Sequence, residues 1–310
     1  MRSYFENSLT YDFKTGGAML KKSTLLHLRI PFSFYLMPVY LFALAVAEAV
    51  HIIPAIGVFV SLHLLLYPAS NGYNSYFDKD EESIGGLEKP PPVSRELYFT
   101  ANMLDLLALI IGWWLAGPVF ALMAAIYSAV SRAYSHPMIR LKKHPFTSWW
   151  VAGFFQGFFT FAMAYVGITG SSLAEFWEVK TVLAGCLTTL LLWGSYPMTQ
   201  IYQHHEDARR GDHTLSLMLG VKGTFFFTAA AFTIANIAFW IYFLEFHTFW
   251  RGVAFQLVLL PVFIYFFHWL LLAYRNENAV SFKKAMFLNT LSAACLNIFF
   301  ASMLIWPDRF

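Results

Sequence analysis

Charged residues and cysteines are both scarce in this sequence. Asp, Glu, Lys and Arg make up 13% of the 310 residues, whereas hydrophobic residues make up 58% and the mean hydropathy is +0.54. A soluble domain of this size does not need so much apolar surface, which excludes that class. The two cysteines, Cys186 and Cys295, lie in apolar runs, so the sequence indicates neither a disulfide framework nor a thiolate metal site. The net charge is only +3, and we expect no nucleic-acid partner.

Apolar runs of about 20 residues, the length that crosses a hydrocarbon core, recur along the whole chain. They predict an all-α membrane protein, a bundle of nine transmembrane helices with its functional loops on the cytoplasmic side. The predicted helices span 27–50, 52–77, 97–116, 118–134, 148–168, 179–201, 223–245, 249–274 and 284–306. Residues 1–24 are predicted to be a polar arm that precedes a nine-helix domain over 25–310.

Lys and Arg are distributed unevenly between the two sides of this predicted bundle. Nine helices place the N terminus and the loops after helices 2, 4, 6 and 8 on one side, where 18 of the 21 Lys and Arg residues fall. The three exceptions are Lys180, Arg251 and Arg309. Because basic residues are retained in the cytoplasm, we expect that side, with the N terminus, to be cytoplasmic. The protein is then a multi-pass protein of the lipid bilayer (the cytoplasmic membrane, if bacterial) whose oligomeric state stays open.

The stretch from Asn71 to Pro92 is acidic and follows directly on an apolar run. If the helix continues through it, Asn74, Asp78 and Glu82 lie at i, i+4 and i+8 on one helix face. Oxygen ligands stacked at the mouth of a bilayer helix suit a hard divalent cation that shares its coordination shell with a phosphate. The alternative is a solvated helix end that is acidic without a functional reason.

A second polar stretch, from Gln200 to Thr214, ends predicted helix 6 on the same side. Four of its side chains share one helix face, at i, i+3, i+4 and i+7: Gln203, Glu206, Asp207 and Arg210. Two facing sets of oxygen ligands, with cations beside them, are what a diphosphate bridged by magnesium requires. The alternative is two unrelated solvated helix ends.

The loop after predicted helix 4 is cationic and contains Arg140, Lys142 and Lys143. Their role in setting the topology is sufficient to explain them. They also lie on the same side as the two acidic stretches, where Lys and Arg pair well with phosphate oxygens.

These stretches resemble the motifs of the UbiA-type intramembrane prenyltransferase superfamily. The first is similar to its Asn-Asp-x-x-Asp-x-x-x-Asp motif with a following basic-Pro pair, at Asn74, Ser75, Asp78, Glu82 and Lys89-Pro90. The second is similar to its Asp-x-x-x-Asp motif, at Gln203, Asp207, Arg209, Gly211, Thr214 and Leu219-Gly220. Residues 134–143 are similar to the family's loop after helix 4, and residues 29–31 to the start of its first helix.

Three positions depart from the motifs of the family. Ser75 and Gln203 stand where aspartates are usual, and Glu82 stands for a third aspartate. Serine and glutamine are weaker ligands than a carboxylate for a hard cation, so the number of metal ions stays open.

The resemblance implies transfer of an isoprenyl group from its diphosphate to a lipophilic acceptor, aromatic or lipid, with Mg²⁺ as cofactor. The implied metal ligands are Asn74, Asp78, Glu82, Gln203 and Asp207, and Asp78 and Asp207 are the implied catalytic residues. The implied substrate-binding residues are Arg29, Tyr134, Arg140, Lys142, Lys143 and Arg209. A terpene cyclase of the same fold, which needs no external acceptor, remains an alternative. A transporter is disfavoured because the charges cluster at one membrane face instead of at the midplane.

Asp105 is the one acidic residue well inside an apolar segment, with Asn102 one turn before it. A charge there is costly, at least about 2.5 kcal/mol on insertion scales, so we expect it to face the interior of the bundle. It either binds or deprotonates the acceptor, or makes an interhelical hydrogen bond.

Overall fold

The structure, a computed structural model, describes residues 20–306, and its regular elements are helices. The first half contains α1 (Lys22–Leu28), α2 (Met37–Val46), α3 (Ile52–Phe59), α4 (Tyr67–Asp78), α5 (Arg95–Ala116), α6 (Pro118–Ser135), α7 (Pro145–Phe154) and α8 (Thr160–Thr169). The second half contains α9 (Leu173–Phe176), α10 (Val179–Ser195), α11 (His204–Arg210), α12 (Leu215–Phe246), α13 (Phe249–Arg275) and α14 (Phe282–Ile305). Most of the arm predicted over residues 1–24 lies outside the described residues.

Two membrane-spanning helices contain a π-helical turn. Residues Val60–Leu66 join α3 to α4, and residues Phe155–Phe159 join α7 to α8, so that each pair forms one continuous span. Shorter 3₁₀ segments at Ile30–Tyr35, Leu141–Lys143, Tyr196–Thr199 and Glu277–Ala279 connect the longer helices. A π-turn inserts one residue into the helix and rotates the side chains that follow it.

The number of spans differs from the predicted nine. Within residues 20–306, seven helices are long and apolar enough to cross a membrane, or eight if the bent pair Lys22–Tyr35 and Met37–Val46 is one span. Each of the nine predicted segments is mainly helical. The segment outside this count is α6, which is only 18 residues long and carries polar residues near its end. The chain is an integral, multi-pass membrane protein, and nine spans stay a prediction.

Aromatic side chains form much of the core at one end of the bundle. Phe42 is fully buried and stacks on Phe300, with their ring centroids 4.4 Å apart. Phe239 stacks on Phe255 at 4.7 Å and also packs on Phe42. These rings tie α2 to α12, α13 and α14, which closes the bundle between its first and last long helices.

The loops after α4, α6, α10 and α13 meet at the opposite end. Lys142, in the loop after α6, lies 2.7 Å from Asp78 at the end of α4 and 3.3 Å from Asp212, which follows α11. Lys283, at the start of α14, lies 3.5 Å from Glu88 in the loop after α4. The predicted gathering of these loops on one side is therefore confirmed, whereas the cytoplasmic location of that side stays a prediction.

Reporter fusions test this orientation. We expect fusions inserted in the loops at residues 136–144 and 276–281 to report the cytoplasm, because the excess of basic residues lies at that end. A fusion after Ser171, in the loop that follows α8, is the control and is expected to report the opposite side. If the first two loops report different sides, the topology is wrong.

Candidate active site

A cavity of about 400 Å³ runs into the bundle from the end where the polar loops meet. Its polar end is lined by Arg29, Asn71, Asn74, Asp78, Asp80, Lys142, Gln203, Asp207, Arg210 and Asp212. Its inner part is lined mainly by apolar side chains, among them Phe239, Phe255, Leu259, Val262 and Phe300, with Asn236 and Ser292 on the same helices. The cavity therefore joins a charged mouth to a hydrocarbon interior.

Alternating acids and bases link the end of α4 to the loop after α6. Asn74 donates its Nδ2 to Asp78 Oδ2 at 2.7 Å, which holds that carboxylate one turn below it on the same helix. Lys142 Nζ lies 2.7 Å from Asp78 Oδ1 and 3.3 Å from Asp212 Oδ2. Asp212 also accepts two hydrogen bonds from Arg140, at 2.9 and 3.1 Å. Two acidic stretches and the cationic loop thus meet in one site, as the sequence predicted.

Arg210 connects α11 to the loop after α4. Its guanidinium donates to the backbone carbonyls of Asp78 and Lys79, and it pairs with Asp80 at 3.2 Å and with Glu206 at 2.7 Å. The Glu206 carboxylate is buried and accepts the backbone N–H groups of residues 81 and 82 at 3.1 and 3.3 Å. Because both side chains bind backbone groups of this loop, they fix its path over the site.

Asp207 is the site carboxylate that pairs with no base within 4 Å in the described chain. Thr214 Oγ1 donates to it at 3.1 Å. Burial, helped by the nearby charge of Asp212, raises the pKa of Asp207 to about 7 despite that hydrogen bond. Burial and the charge of Asp78 raise the pKa of Asp80 to about 6. Burial is thus the main factor that disfavours the charged forms of these two carboxyls.

A divalent cation fits this donor set. Among residues 20–306, no group of three or more His, Cys, Asp or Glu side chains is placed to hold a metal ion unaided. Hard cations such as Mg²⁺ usually bind one or two carboxylates and complete their shell with water and substrate phosphates. Asp78, Asp80 and Asp207, with the Asn74 amide oxygen, line the polar end of the cavity, where one or two of the carboxylates would provide such a partial shell and a cation would offset the burial of their charges.

Four of the predicted site residues do not line the cavity. Arg140 is one of them, but it pairs with the lining residue Asp212; the other three are Glu82, Lys143 and Arg209. Helix α4 ends at Asp78, because Lys79 takes a left-handed conformation (φ 50°), and the predicted continuation of the helix to Glu82 is wrong. Glu82 pairs with His205 at 3.1 Å and is partly exposed. Lys143 and Arg209 are both exposed to solvent. Their roles in metal or substrate binding stay predictions, and their positions do not support them.

The other predicted residues line the cavity or contact its lining. Arg29 donates to the Gly85 carbonyl at 3.1 Å and to the Asn71 carbonyl at 3.2 Å. It therefore links the loop after α4 to α4 itself. The Tyr134 hydroxyl hydrogen-bonds to that of Tyr196. Gln203 donates Nε2 to the Ser83 carbonyl at 3.0 Å, and only its Oε1 remains as a metal ligand.

Asp212 was not predicted from the sequence. It lies five residues after Asp207, a spacing that does not share a helix face. Gly211 ends α11 in a left-handed conformation (φ 70°), and the Asp212 N–H then donates to the Asp207 carbonyl at 2.9 Å, which turns the chain back toward the site. The Gly after a helix that ends in two arginines was the available signal for such a turn.

Asp105 faces the interior of the bundle, as predicted, but it does not line the cavity. It accepts a hydrogen bond from Ser128 at 2.5 Å and pairs with Arg132, which also donates to Asn102 at 2.6 Å. Arg132 lies within α6, with its guanidinium 4.8 Å from the centroid of the Tyr73 ring. This arrangement supports the structural alternative, an interhelical link between α5 and α6.

The helical fold and the charged cavity define a class of protein: a multi-pass membrane protein with a site for a ligand that is anionic at one end and apolar along its length. The sequence model of the UbiA prenyltransferase family matches residues 35–291. The chain therefore belongs to the UbiA prenyltransferase family.

Solved structures share the fold across nearly the whole chain. A UbiA homologue from Archaeoglobus fulgidus, solved with GPP and Mg²⁺, is 16% identical with a TM-score of 0.62 and covers 92% of this chain and 100% of its own. A homologue from Aeropyrum pernix K1 is 17% identical with a TM-score of 0.65. The match covers 92% of this chain and 98% of the homologue. A digeranylgeranylglyceryl phosphate synthase structure is 18% identical with a TM-score of 0.59. The match covers 92% of this chain and 99% of the synthase chain. A search of curated proteins finds no match.

Proposed function

We propose that the protein is an intramembrane prenyltransferase that moves an isoprenyl group from its diphosphate to a lipophilic acceptor, with Mg²⁺ as cofactor. One observation carries this proposal: a single cavity joins acidic and basic side chains at the membrane surface to an aromatic interior. An isoprenyl diphosphate has the same division, with a charged head and a hydrocarbon tail. The similar structure from Archaeoglobus fulgidus, which holds GPP and Mg²⁺, supports the assignment.

The bound Mg²⁺ would neutralise the diphosphate and make it a better leaving group. Asn74, Asp78, Asp80 and Asp207 are the residues that would hold it. Lys142 and Arg210 lie among these carboxylates and would direct positive charge at the phosphate oxygens, where negative charge grows as the bond breaks.

The transfer exchanges one bond to the allylic carbon for another. The bond from that carbon to the diphosphate oxygen breaks, and the electron pair leaves with the diphosphate. A nucleophilic oxygen or carbon of the acceptor forms the new bond, and the proton displaced from the acceptor passes to the released diphosphate. The apolar cavity excludes water from the electron-deficient carbon, and its aromatic faces stabilise positive charge.

Product analysis tests the proposed reaction. We expect purified protein with geranyl diphosphate, Mg²⁺ and a membrane lipid extract to give prenylated lipids, and to give none with EDTA. Terpene hydrocarbons formed without the extract would show the cyclase instead. Equilibrium binding of geranyl diphosphate is measured on the same preparation, and an absence of both binding and product overturns the proposal.

Magnesium binding is expected to depend on pH through Asp207. Because the pKa of this carboxyl is raised to about 7, the metal-binding carboxylate form dominates above pH 7 and is lost as the pH falls below it. Lowering the pH from 8 to 6 should therefore weaken Mg²⁺ binding about tenfold. Titration calorimetry in the presence of a thiolodiphosphate analogue of geranyl diphosphate measures this. Asp207→Asn is the control, because any pH effect that remains in this variant comes from protonation of the analogue. An equal pH effect in the variant and the wild type would contradict the role of Asp207 in Mg²⁺ binding.

A further inference from the structure

A side cleft of about 100 Å³ leaves the main cavity between α6 and α7. Helix α6 packs closely on α8 but not on α7, although α7 and α8 belong to one continuous span. The two helices therefore separate toward the end where the polar loops meet. Ser70, Tyr127, Ser131 and Gln156 line both the cleft and the main cavity, so the two spaces are adjacent.

Gln156 lies where the cleft meets the main cavity, and its amide makes no hydrogen bond within residues 20–306. It belongs to the π-helical turn Phe155–Phe159. The turn is anchored on α10, because the Phe158 N–H donates to Thr189 Oγ1 at 2.8 Å. Position 157 must be glycine, since a Cβ there would lie 2.6 Å from the Thr189 Cα. The turn holds an amide with unused donors and an unused acceptor in an otherwise apolar span, and π-turns are frequent at functional sites.

None of the side chains that line the cleft is charged. They are Ser70, Tyr127, Val130, Ser131, Tyr134, Val151, Ala152, Phe155, Gln156 and Tyr196. Burying an anion among them is costly because no base lies in the lining to pair with it. A neutral hydroxyl group, in contrast, can both donate to and accept from the Gln156 amide.

We propose that the cleft between α6 and α7 binds the acceptor, and that it selects a neutral acceptor with a phenol or alcohol hydroxyl over one with a carboxylate or phosphate. This inference rests on the proposed function for the identity of the bound molecule as an acceptor. Ser70 is four residues before Asn74 on α4, so a hydroxyl group held at Gln156 lies beside the charged mouth where the diphosphate is to be placed. The acceptor reaches the cleft from the bilayer, between the two separated helices.

Two probes with the same tail test the choice of acceptor. At pH 7.5, 4-nonylphenol is neutral and 4-nonylbenzoate is ionised, because a phenol has a pKa of about 10 and a carboxyl about 4. We expect the phenol to bind the purified protein with a dissociation constant at least about tenfold lower than the benzoate, measured with tritiated probes and an excess of unlabelled probe. Equal or tighter binding of the benzoate, or no specific binding of the phenol, overturns the proposal.

Two variants test the location of the site. Gln156→Leu removes the hydrogen-bonding amide with little change of volume, and Ala152→Phe fills the cleft. We expect each to weaken phenol binding at least about tenfold, by more than it changes the affinity for geranyl diphosphate. Ala129→Phe makes the same change on the exposed face of α6 and is expected to alter neither. Unchanged phenol binding in both cleft variants excludes this location.

The affinity for geranyl diphosphate separates this inference from the proposed function. Loss of phenol binding with geranyl diphosphate still bound places the acceptor in the cleft and confirms that the variants are folded. Binding of the phenol by a protein that does not bind geranyl diphosphate would refute the proposed reaction and leave the cleft as a site for neutral hydroxyl compounds.

Discussion

Replacing Asp78 or Asp207 by asparagine is expected to slow prenyl transfer by about 100- to 1,000-fold, the loss typical when one preorganised electrostatic group is removed from an active site. Asp78 lies at the end of α4 and Asp207 on α11, so each supplies one of the two faces of the charged mouth. Asparagine keeps the shape of the side chain and one acceptor oxygen but removes the charge that a cation needs. The rate is measured as formation of prenylated product at saturating Mg²⁺ and geranyl diphosphate.

Glu82→Gln is the matched control for these two variants. This substitution also removes one negative charge from the acidic stretch that follows α4. Glu82, however, lies outside the cavity and pairs with His205. We expect it to change the rate less than about threefold, as for most surface substitutions. A loss at Glu82 equal to that at Asp78 would show that the loop after α4 takes another path when substrate binds.

Replacing Arg210 by methionine is expected to be almost as damaging, with a loss of activity of about 100-fold and a higher KM for the diphosphate. Its guanidinium binds two backbone carbonyls and two carboxylates, and the side chain is largely buried, with 19% of it exposed. Within residues 20–306, its removal leaves the buried Glu206 carboxylate with one ion pair, the weaker one to Arg209 at 3.7 Å, besides its two backbone N–H donors. Loss of one partner from a buried ion pair typically destabilises a protein by about 3–5 kcal/mol. Here we expect the destabilisation to be local, in the loop after α4 that carries Asp80.

Arg209→Met distinguishes this role from a general effect of positive charge. Arg209 is the next residue on the same helix, and it is 48% exposed and pairs with Glu81 at 3.5 Å. Exposed pairs of this kind contribute about 0–1 kcal/mol, so we expect less than a threefold change in either kinetic constant. Equal losses in the two variants would favour the role in phosphate binding that the resemblance implies for Arg209.

The family resemblance marks Arg209, whereas the helical spacing from Gln203 and the cavity lining both place Arg210 at the site. The family motif marks a basic residue by its position in the chain, and α11 is a seven-residue helix on which neighbouring residues point about 100° apart. Which of the two faces the site depends on how α11 packs against the loop after α4. The buried Glu206, which binds the backbone of residues 81 and 82, sets that packing.

The sequence alone determined the class of protein, its helical architecture and the gathering of the polar loops at one end. These follow from local rules: a bilayer accepts only apolar helices long enough to cross it, and basic residues collect on one side. It also brought Asn74 and Asp78 together, because a spacing of four residues within one helix places both on one face. The side chain of Asn74 does bind that of Asp78.

Only the tertiary structure decided which residues past the helix ends belong to the site. Lys79 and Gly211 each end a helix in a left-handed conformation, which turns Glu82 away and brings Asp212 in. Helical periodicity no longer applies beyond such a residue, and hydrogen bonds from distant residues then set the path of the chain. The cleft between α6 and α7 has the same kind of origin, since the separation of two helices depends on the packing of all their neighbours and leaves no periodic pattern in either sequence.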